Sequence, residues 1–269
     1  MTNLDLQILE NLAQSRYLST GFLHRLSITS PSNLSKRLKK MVSDEWITRQ
    51  NALDPLSERT EHFFFLKKRG VEVLLERSDK FASEDEMEIP RTTFAITHDM
   101  TTNWVRYFLQ LEFEKYRGIL LDNFSFESRR SKISGIFRSA GIHPDAVLKV
   151  QRKNGKDKIF LLEVDNSTEN KEAIRSKFVA YNKYLQQSTD QILVVLSKHS
   201  EGRLAFLLRW GYQTLEKDRI FACTLMEISA FGFFSNIWTE PLGLWAGDRK
   251  NAKMKFAEIN DRDRVFLEM

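Results

Sequence analysis

The sequence predicts an α+β chain, approaching α/β order in its second half: three short helices and a strand pair first, then a mixed sheet flanked by helices. Three observations carry this. Apolar residues recur at helical spacing through the first forty positions and then give way to two short strand-like runs near Trp46 and His62. Residues 78–89 are acidic and aperiodic, with Asp79, Glu84, Asp85, Glu86 and Glu88 among them. Beyond them, long helical patterns alternate with short apolar runs.

In chain order, Leu4, Ile8, Leu9 and Leu12 predict a helix over 5–13. Ser19-Thr20 is a cap signal for a second helix that turns Phe22, Leu23 and Leu26 inward. Ser30-Pro31-Ser32-Asn33 opens a third, with Pro31 suited to the first turn. Leu34, Leu38, Met41 and Val42 form its inner stripe, and Lys36, Arg37, Lys39 and Lys40 its outer or lateral one. Strands over 46–49 and 62–66 follow, joined by a polar loop with Pro55, Glu58 and Arg59, and a helix over 68–77 closes the unit.

Three helices and a hairpin in that order make a winged helix-turn-helix over residues 1–78, with the basic third helix as the one that enters a major groove. Ser32, Asn33, Ser35 and Lys36 are the expected base or phosphate readers, and Arg37, Lys39 and Lys40 would neutralise phosphates. The alternative is a solvated charged helix in a protein-binding unit. Residues 79–92 read as an acidic linker ended by Pro90 and Arg91, and residues 93–269 as the second domain with a C-terminal extension.

That second domain begins with a helix over 99–116 carrying Trp104, Val105, Phe108, Leu109, Leu111 and Phe113, then a strand at 119–121. Strands over 143–150 and 159–165 flank a polar turn through Asn154, Gly155, Lys156 and Asp157. A helix over 170–187, a strand over 191–197, a helix over 201–215 and a strand over 219–225 complete the sheet. The aromatic, then polar, tail from Gly232 has no clear assignment.

Asp145, Glu163 and Asp165 stand at the ends of the two middle strands. Buried carboxylates cost several kcal/mol unless paired, protonated or bound to a cation. Side-chain alternation puts Ile159, Leu161, Glu163 and Asp165 on one face, with the two acids roughly 7 Å apart. If the Asp145 strand lies alongside, three carboxylates converge, an oxygen-only set suited to Mg²⁺ or Mn²⁺. On the next helix Lys177 borders the stripe of Ile174, Phe178, Tyr181 and Leu185, where it can reach the sheet end and offset transition-state charge. A snorkelling lysine and a solvated sheet end are the plain alternatives.

Pro144-Asp145, a hairpin, then Glu163-Val164-Asp165 resembles the PD-(D/E)xK restriction-endonuclease-like core. The longer run through Pro144-Asp145-Ala146, Leu162 to Glu169, Lys177 and Tyr181 resembles the replication-relaxation family, itself similar to MobC-type plasmid mobilisation relaxases. The resemblance implies a winged helix joined to a nuclease-like domain. It implies catalytic roles for Asp145, Glu163, Asp165 and Lys177, with the three acids as metal ligands, and a histidine at the place of His98. Asp165 stands where the usual motif has lysine, so the resemblance puts that charge on Lys177. Glu112 and Tyr181 are further accessory candidates.

The remaining properties narrow the function. A net charge of +5, from 41 Lys and Arg against 36 Asp and Glu, tilts toward an anionic partner. The single cysteine, Cys223, gives no disulfide framework and no cysteine zinc site. No GxxxxGK loop is present, which speaks against ATP-driven work, and no adjacent histidine pair suits a histidine-rich relaxase. With no apolar signal core at the start and no run long enough to span a bilayer, a cytoplasmic protein is expected. The expected activity is a Mg²⁺- or Mn²⁺-dependent nickase or relaxase-like endonuclease acting on double-stranded DNA, such as a plasmid origin, with accessory mobilisation or replication proteins. The alternatives are a non-catalytic DNA-binding regulator and a protein-binding adaptor.

Overall fold

In a computed structural model of the protein, the first helix begins where the sequence supplies both halves of a capping box. Thr2 Oγ1 accepts the Asp5 amide and the Asp5 carboxylate accepts the Thr2 amide, which opens α1 (Asn3–Ser15). The structure describes residues 1–26, 29–87, 96–116, 121–128, 137–152, 157–198, 200–215, 219–239 and 253–255. Two units are distinguished, Met1–Asn103 and Trp104–Met269.

In the first unit α1 buries Ile8, Leu9, Leu12 and Ala13. A two-residue strand β1 (Leu18–Ser19) leads into α2 (Thr20–Arg25), where Ser19 Oγ accepts the Phe22 amide at 3.0 Å. α3 (Pro31–Ser43) has proline in its first turn and buries Leu34, Leu38 and Met41; Val42 is half-buried. Its expected Ser30 cap makes no side-chain hydrogen bond, so the start rests on Pro31.

The hairpin is longer than the sequence suggests, β2 (Ile47–Leu53) against β3 (Thr60–Leu66), with Ile47 opposite Leu66 and Leu53 opposite Thr60. Asp54 holds its turn by accepting the amides of Leu56 and Ser57. β1 pairs antiparallel with β3, giving the order β1-β3-β2. α4 (Lys68–Arg77) follows.

The described part of the stretch read as a linker is built into structure. Residues Glu84–Glu86 form a 3₁₀ turn, Phe81 and Met87 are buried, and Lys80 pairs with Glu10 at 2.6 Å. Its acidic composition hid two apolar anchors.

α5 (Ile96–Tyr116) starts three residues earlier than expected, with Ile96 and Met100 buried. The strand expected at 119–121 lies partly outside the described residues; β4 runs Leu121–Ser128. β5 (Ala146–Arg152) and β6 (Asp157–Asp165) form the antiparallel pair expected, and their turn lies outside the described residues. α6 (Lys171–Leu185), β7 (Gln191–Leu196), α7 (Glu201–Thr214) and β8 (Ile220–Thr224) follow in the expected order.

The last expected strand stops one residue short, because Thr224 and Glu227 form a capping box that turns the chain into α8 (Leu225–Phe231). The tail then adds β9 (Asn236–Thr239) and β10 (Lys253–Lys255). Among the described residues the resulting sheet has seven strands, in the order β10-β9-β8-β7-β6-β5-β4. β6, β7 and β8 run parallel at its centre, and the outer pairs are antiparallel. Val147, Leu161, Ile192, Val194, Leu196, Ile220 and Ala222 share a core with Ile174, Phe178 and Leu185 of α6 and Leu207 and Leu208 of α7.

Gly70 marks the tightest backbone approach of the first unit, since a Cβ there would lie 2.1 Å from the Trp46 carbonyl oxygen. A backbone atom cannot swing aside. Gly70→Ala is therefore expected to lower stability by about 1–3 kcal/mol, measured as a lower urea midpoint with an unchanged slope.

Candidate functional site

The register of β5 on β6 brings two of the three acids side by side. Ala146 lies opposite Leu162, so the next position sets Asp145 beside Glu163. Asp145 stands one residue before β5 begins, and its carboxylate takes the Val164 amide as its donor at 2.9 Å. Both acids lie at the C-terminal end of β6, the end at which parallel strands of open sheets present ligand sites. Glu163 is 4% exposed.

α6 answers that buried charge with two side chains one turn apart. Lys177 Nζ donates to Glu163 Oε2 at 2.8 Å, and the Tyr181 hydroxyl donates to Glu163 Oε1. Lys177 also lies 3.2 Å from Glu169 Oε1. Asn170 starts the helix by accepting the Ala173 amide, and that start sets the phase that carries Lys177 and Tyr181 to the sheet end. Tyr181 is buried, a hydrogen-bond donor to Glu163 rather than an exposed nucleophile.

Asp165 departs from the expected trio. It projects from the same face of β6, as parity requires, but Arg203 of α7 grips both its oxygens, Nε to Oδ2 at 2.6 Å and Nη2 to Oδ1 at 3.0 Å. The Ser167 amide adds a third bond, and Arg203 also donates to the Glu169 carbonyl. Among the described residues no group of three or more His, Cys, Asp or Glu side chains is arranged to hold an ion.

Arg203 escaped the sequence reading, and Glu169 entered it only as part of the resembling run with no role, although a signal for Arg203 existed. Asp165 pairs in register with Leu196 at the end of the neighbouring parallel strand. The first turn of the helix after β7 must therefore begin close to Asp165, and Arg203 is the cation in that turn.

Burial and the adjacent Asp145 charge push the Glu163 carboxyl up to about 7, against the opposing pull of Lys177 and the Tyr181 bond. Burial works against the Lys177 ammonium, but Glu163, Asp145 and Glu169 outweigh it and hold its pKa above the ordinary lysine value. Lys177 is thus a fixed cation near neutrality: it can offset negative charge but not accept a proton.

The other accessory candidates, Glu112 and His98, have partners of their own. Glu112 of α5 is buried and accepts the Phe234 amide at 2.7 Å; burial raises its pKa and that bond partly opposes the rise. Gly232, at φ +93°, lies so close that a Cβ would sit 1.7 Å from Glu112 Oε1. Glu112 therefore clamps the turn before β9. His98 belongs to the first unit, with its ring 3.7 Å from Asp99 Oδ1.

On α3, Ser32, Asn33, Ser35, Lys36, Lys39 and Lys40 are exposed. Asn33 donates to Thr29 Oγ1, and Lys40 pairs with Asp44 one turn on. Arg37 is half-buried and pairs with Asp5 at 3.0 Å and with Thr2, tying α3 to the α1 cap. Lys36 and Lys39 make no ion pair among the described residues.

A family model described as replication-relaxation matches residues 9–194, well over half of the chain. No curated protein matches. A crystal structure of Bacillus subtilis PadR in complex with operator DNA is similar over 51% of this chain and 88% of its own, with 19% identity and a TM-score of 0.28, too low to establish a common fold. No helix among the described residues is long and apolar enough to cross a membrane.

Because the Glu163 pKa is raised from its ordinary 4.5, the folded state binds more protons than the unfolded one between about pH 4.5 and 7. Stability contributed by Glu163 is present below that window and lost as pH rises through it. With EDTA present, the stability of the wild type relative to Glu163→Gln is expected to fall by roughly 3 kcal/mol from pH 4.5 to 8, read from urea unfolding at each pH.

Proposed function

Because the chain belongs to the replication-relaxation family, we propose that it is a duplex-DNA-binding protein of plasmid mobilisation or replication whose second unit is a metal-dependent, restriction-endonuclease-like nickase. The observation that carries this reading is the meeting of Asp145, Glu163 and Lys177 at one end of the central strand β6.

The first unit supports the DNA-binding half. Its helices, hairpin and β1-β3-β2 sheet have the order of a winged helix-turn-helix, in which α3 enters the major groove. Lys36 and Lys39 would contact phosphates, while Ser32, Asn33 and Ser35 near the helix start face base edges or phosphates. Arg37 holds the scaffold.

Two carboxylates suit one Mg²⁺ or Mn²⁺, which keeps several waters and uses one or two protein carboxylates. Each carboxylate oxygen has two acceptor sites, so the bonds from Lys177 and Tyr181 leave Glu163 with acceptor capacity. The resistance of Glu163 to ionisation beside Asp145 is the electrostatic gap that a divalent cation would close. Bound there, the ion would polarise a phosphodiester and favour ionisation of water. Lys177 would offset charge on the phosphoryl oxygens, Tyr181 would orient Glu163, and the Asp165–Arg203 pair would fix the end of β6. Asp165 is left out of the ligand set.

A second reading, a non-catalytic regulator whose nuclease-like unit serves dimerisation or partner contact, is favoured by the extent to which Lys177 and Arg203 already neutralise the acids.

Supercoiled plasmid carrying a plausible origin, incubated with the protein and Mg²⁺ or Mn²⁺, is expected to yield the nicked circle. Asp145→Asn, Glu163→Gln and Lys177→Met should each abolish nicking while duplex binding persists; binding without nicking by the wild type would favour the regulator.

Replacing Lys36 and Lys39 by alanine is expected to weaken duplex binding and to flatten the slope of log K against log salt by about 0.9 per lysine. An unchanged slope in a fluorescence-anisotropy titration would remove α3 as the DNA-contacting helix.

A further inference from the structure

The outer surface of α6 and α7 carries cations stacked on aromatic rings, a feature that the duplex-binding and cleavage roles do not use. Phe206 and Trp210, one turn apart on α7, are partly buried against the core with centroids 6.3 Å apart. The Lys171 ammonium lies 6.0 Å from the Phe206 centroid and the Arg203 guanidinium 5.5 Å from it. The Arg175 guanidinium lies 5.7 Å from the Trp210 centroid. Lys171 and Arg175 are one turn apart on α6, so two facing stripes, one cationic and one mainly aromatic, run side by side.

We propose that this α6–α7 surface is a binding track for single-stranded nucleic acid, leading away from the Asp145–Glu163 end of the sheet. The proposal rests on the nucleic-acid reading of the protein and names the strand form that its second unit holds.

Position gives the track its direction. Arg203 joins the two regions, because the guanidinium that grips Asp165 also lies over Phe206. Both helices start at that end of the sheet. From Arg203 to Trp210 the stripe spans about 10 Å at the helical rise, room for about two nucleotides.

Chemistry selects the occupant. Aromatic faces accept any base once Lys171 and Arg175, now lying over the two rings, turn to the backbone phosphates, the pairing on which sequence-tolerant single-strand binding depends. Ring centroids 6.3 Å apart do not match the stacked step of about 3.4 Å in a duplex, so two bases could use both rings only when unstacked. Glu172 and Glu201 are the acids in the first turns of the two helices, and Arg209 adds a further exposed cation on α7.

The test is binding of a fluorescein-labelled oligo(dT) to the full chain in EDTA, with duplex binding measured in parallel. The wild type should bind oligo(dT). Trp210→Ala should weaken it at least fivefold, the loss expected for one stacked base. The exposed Arg175→Gln, which leaves the core intact, should flatten the single-strand salt dependence by about 0.7. Duplex affinity should be unchanged in both variants. Failure of the wild type to bind oligo(dT) while it binds duplex would overturn the track and leave the DNA-binding reading standing. Unchanged oligo(dT) binding by Arg175→Gln would overturn it too. Competition by poly-glutamate as strong as that by unlabelled oligo(dT) would assign the surface to an acidic protein instead.

Discussion

Strand β6 carries Glu163 and Asp165 on a face filled by its own Leu161 and by Val194 and Leu196 of β7, and the helices covering that face are placed to answer the charge. Each acid receives its own cation from a different helix, Lys177 from α6 and Arg203 from α7. Removing one partner would leave a buried charge uncompensated, a loss of about 3–5 kcal/mol in comparable pairs. The two pairs differ in one respect. Asp165 meets a bidentate guanidinium, whereas Glu163 has a second carboxylate beside it, and its raised pKa shows that one ammonium and one phenol do not cancel both burial and Asp145. A residual demand for positive charge sits at that point, and the proposed metal and phosphodiester chemistry follows from it.

The first unit solves a smaller version of the same problem. Asp5 is buried at the start of α1 because it completes the Thr2 capping box, and Arg37 reaches from α3 to meet it. That pairing takes one cation away from the outer face of α3 and fixes the helix against α1. Lys36 and Lys39 are left facing outward, and the arginine keeps their helix in place.

Much of this was legible in the sequence. Periodicity gave α1, α3, α6 and α7, and two-residue alternation placed Glu163 and Asp165 on one face, as observed. The register that brings Asp145 to Glu163 was not legible, because the sequence offers it only on the condition that the two strands run side by side. What periodicity missed were features too short or too polar for it. β1 is two residues long, α8 is announced only by the Thr224-to-Glu227 capping spacing, and Phe81 and Met87 are anchors scattered in an acidic stretch. The fate of Asp165 was hidden for a different reason. Its partner lies 38 residues on, and only the parallel pairing of β6 with β7 brings the two together. The pairing of Arg37 with Asp5 was hidden in the same way, since the two lie 32 residues apart and only the packing of α3 on α1 joins them.

The most direct test of the Asp145–Glu163 pair as the functional centre is a Mn²⁺ titration followed by electron paramagnetic resonance. Wild-type protein is expected to bind one Mn²⁺, Asp145→Asn and Glu163→Gln to lose it, and Asp165→Asn to retain it, since Asp165 belongs to Arg203. Absence of binding by the wild type, or loss in Asp165→Asn as complete as in Asp145→Asn, would contradict that assignment.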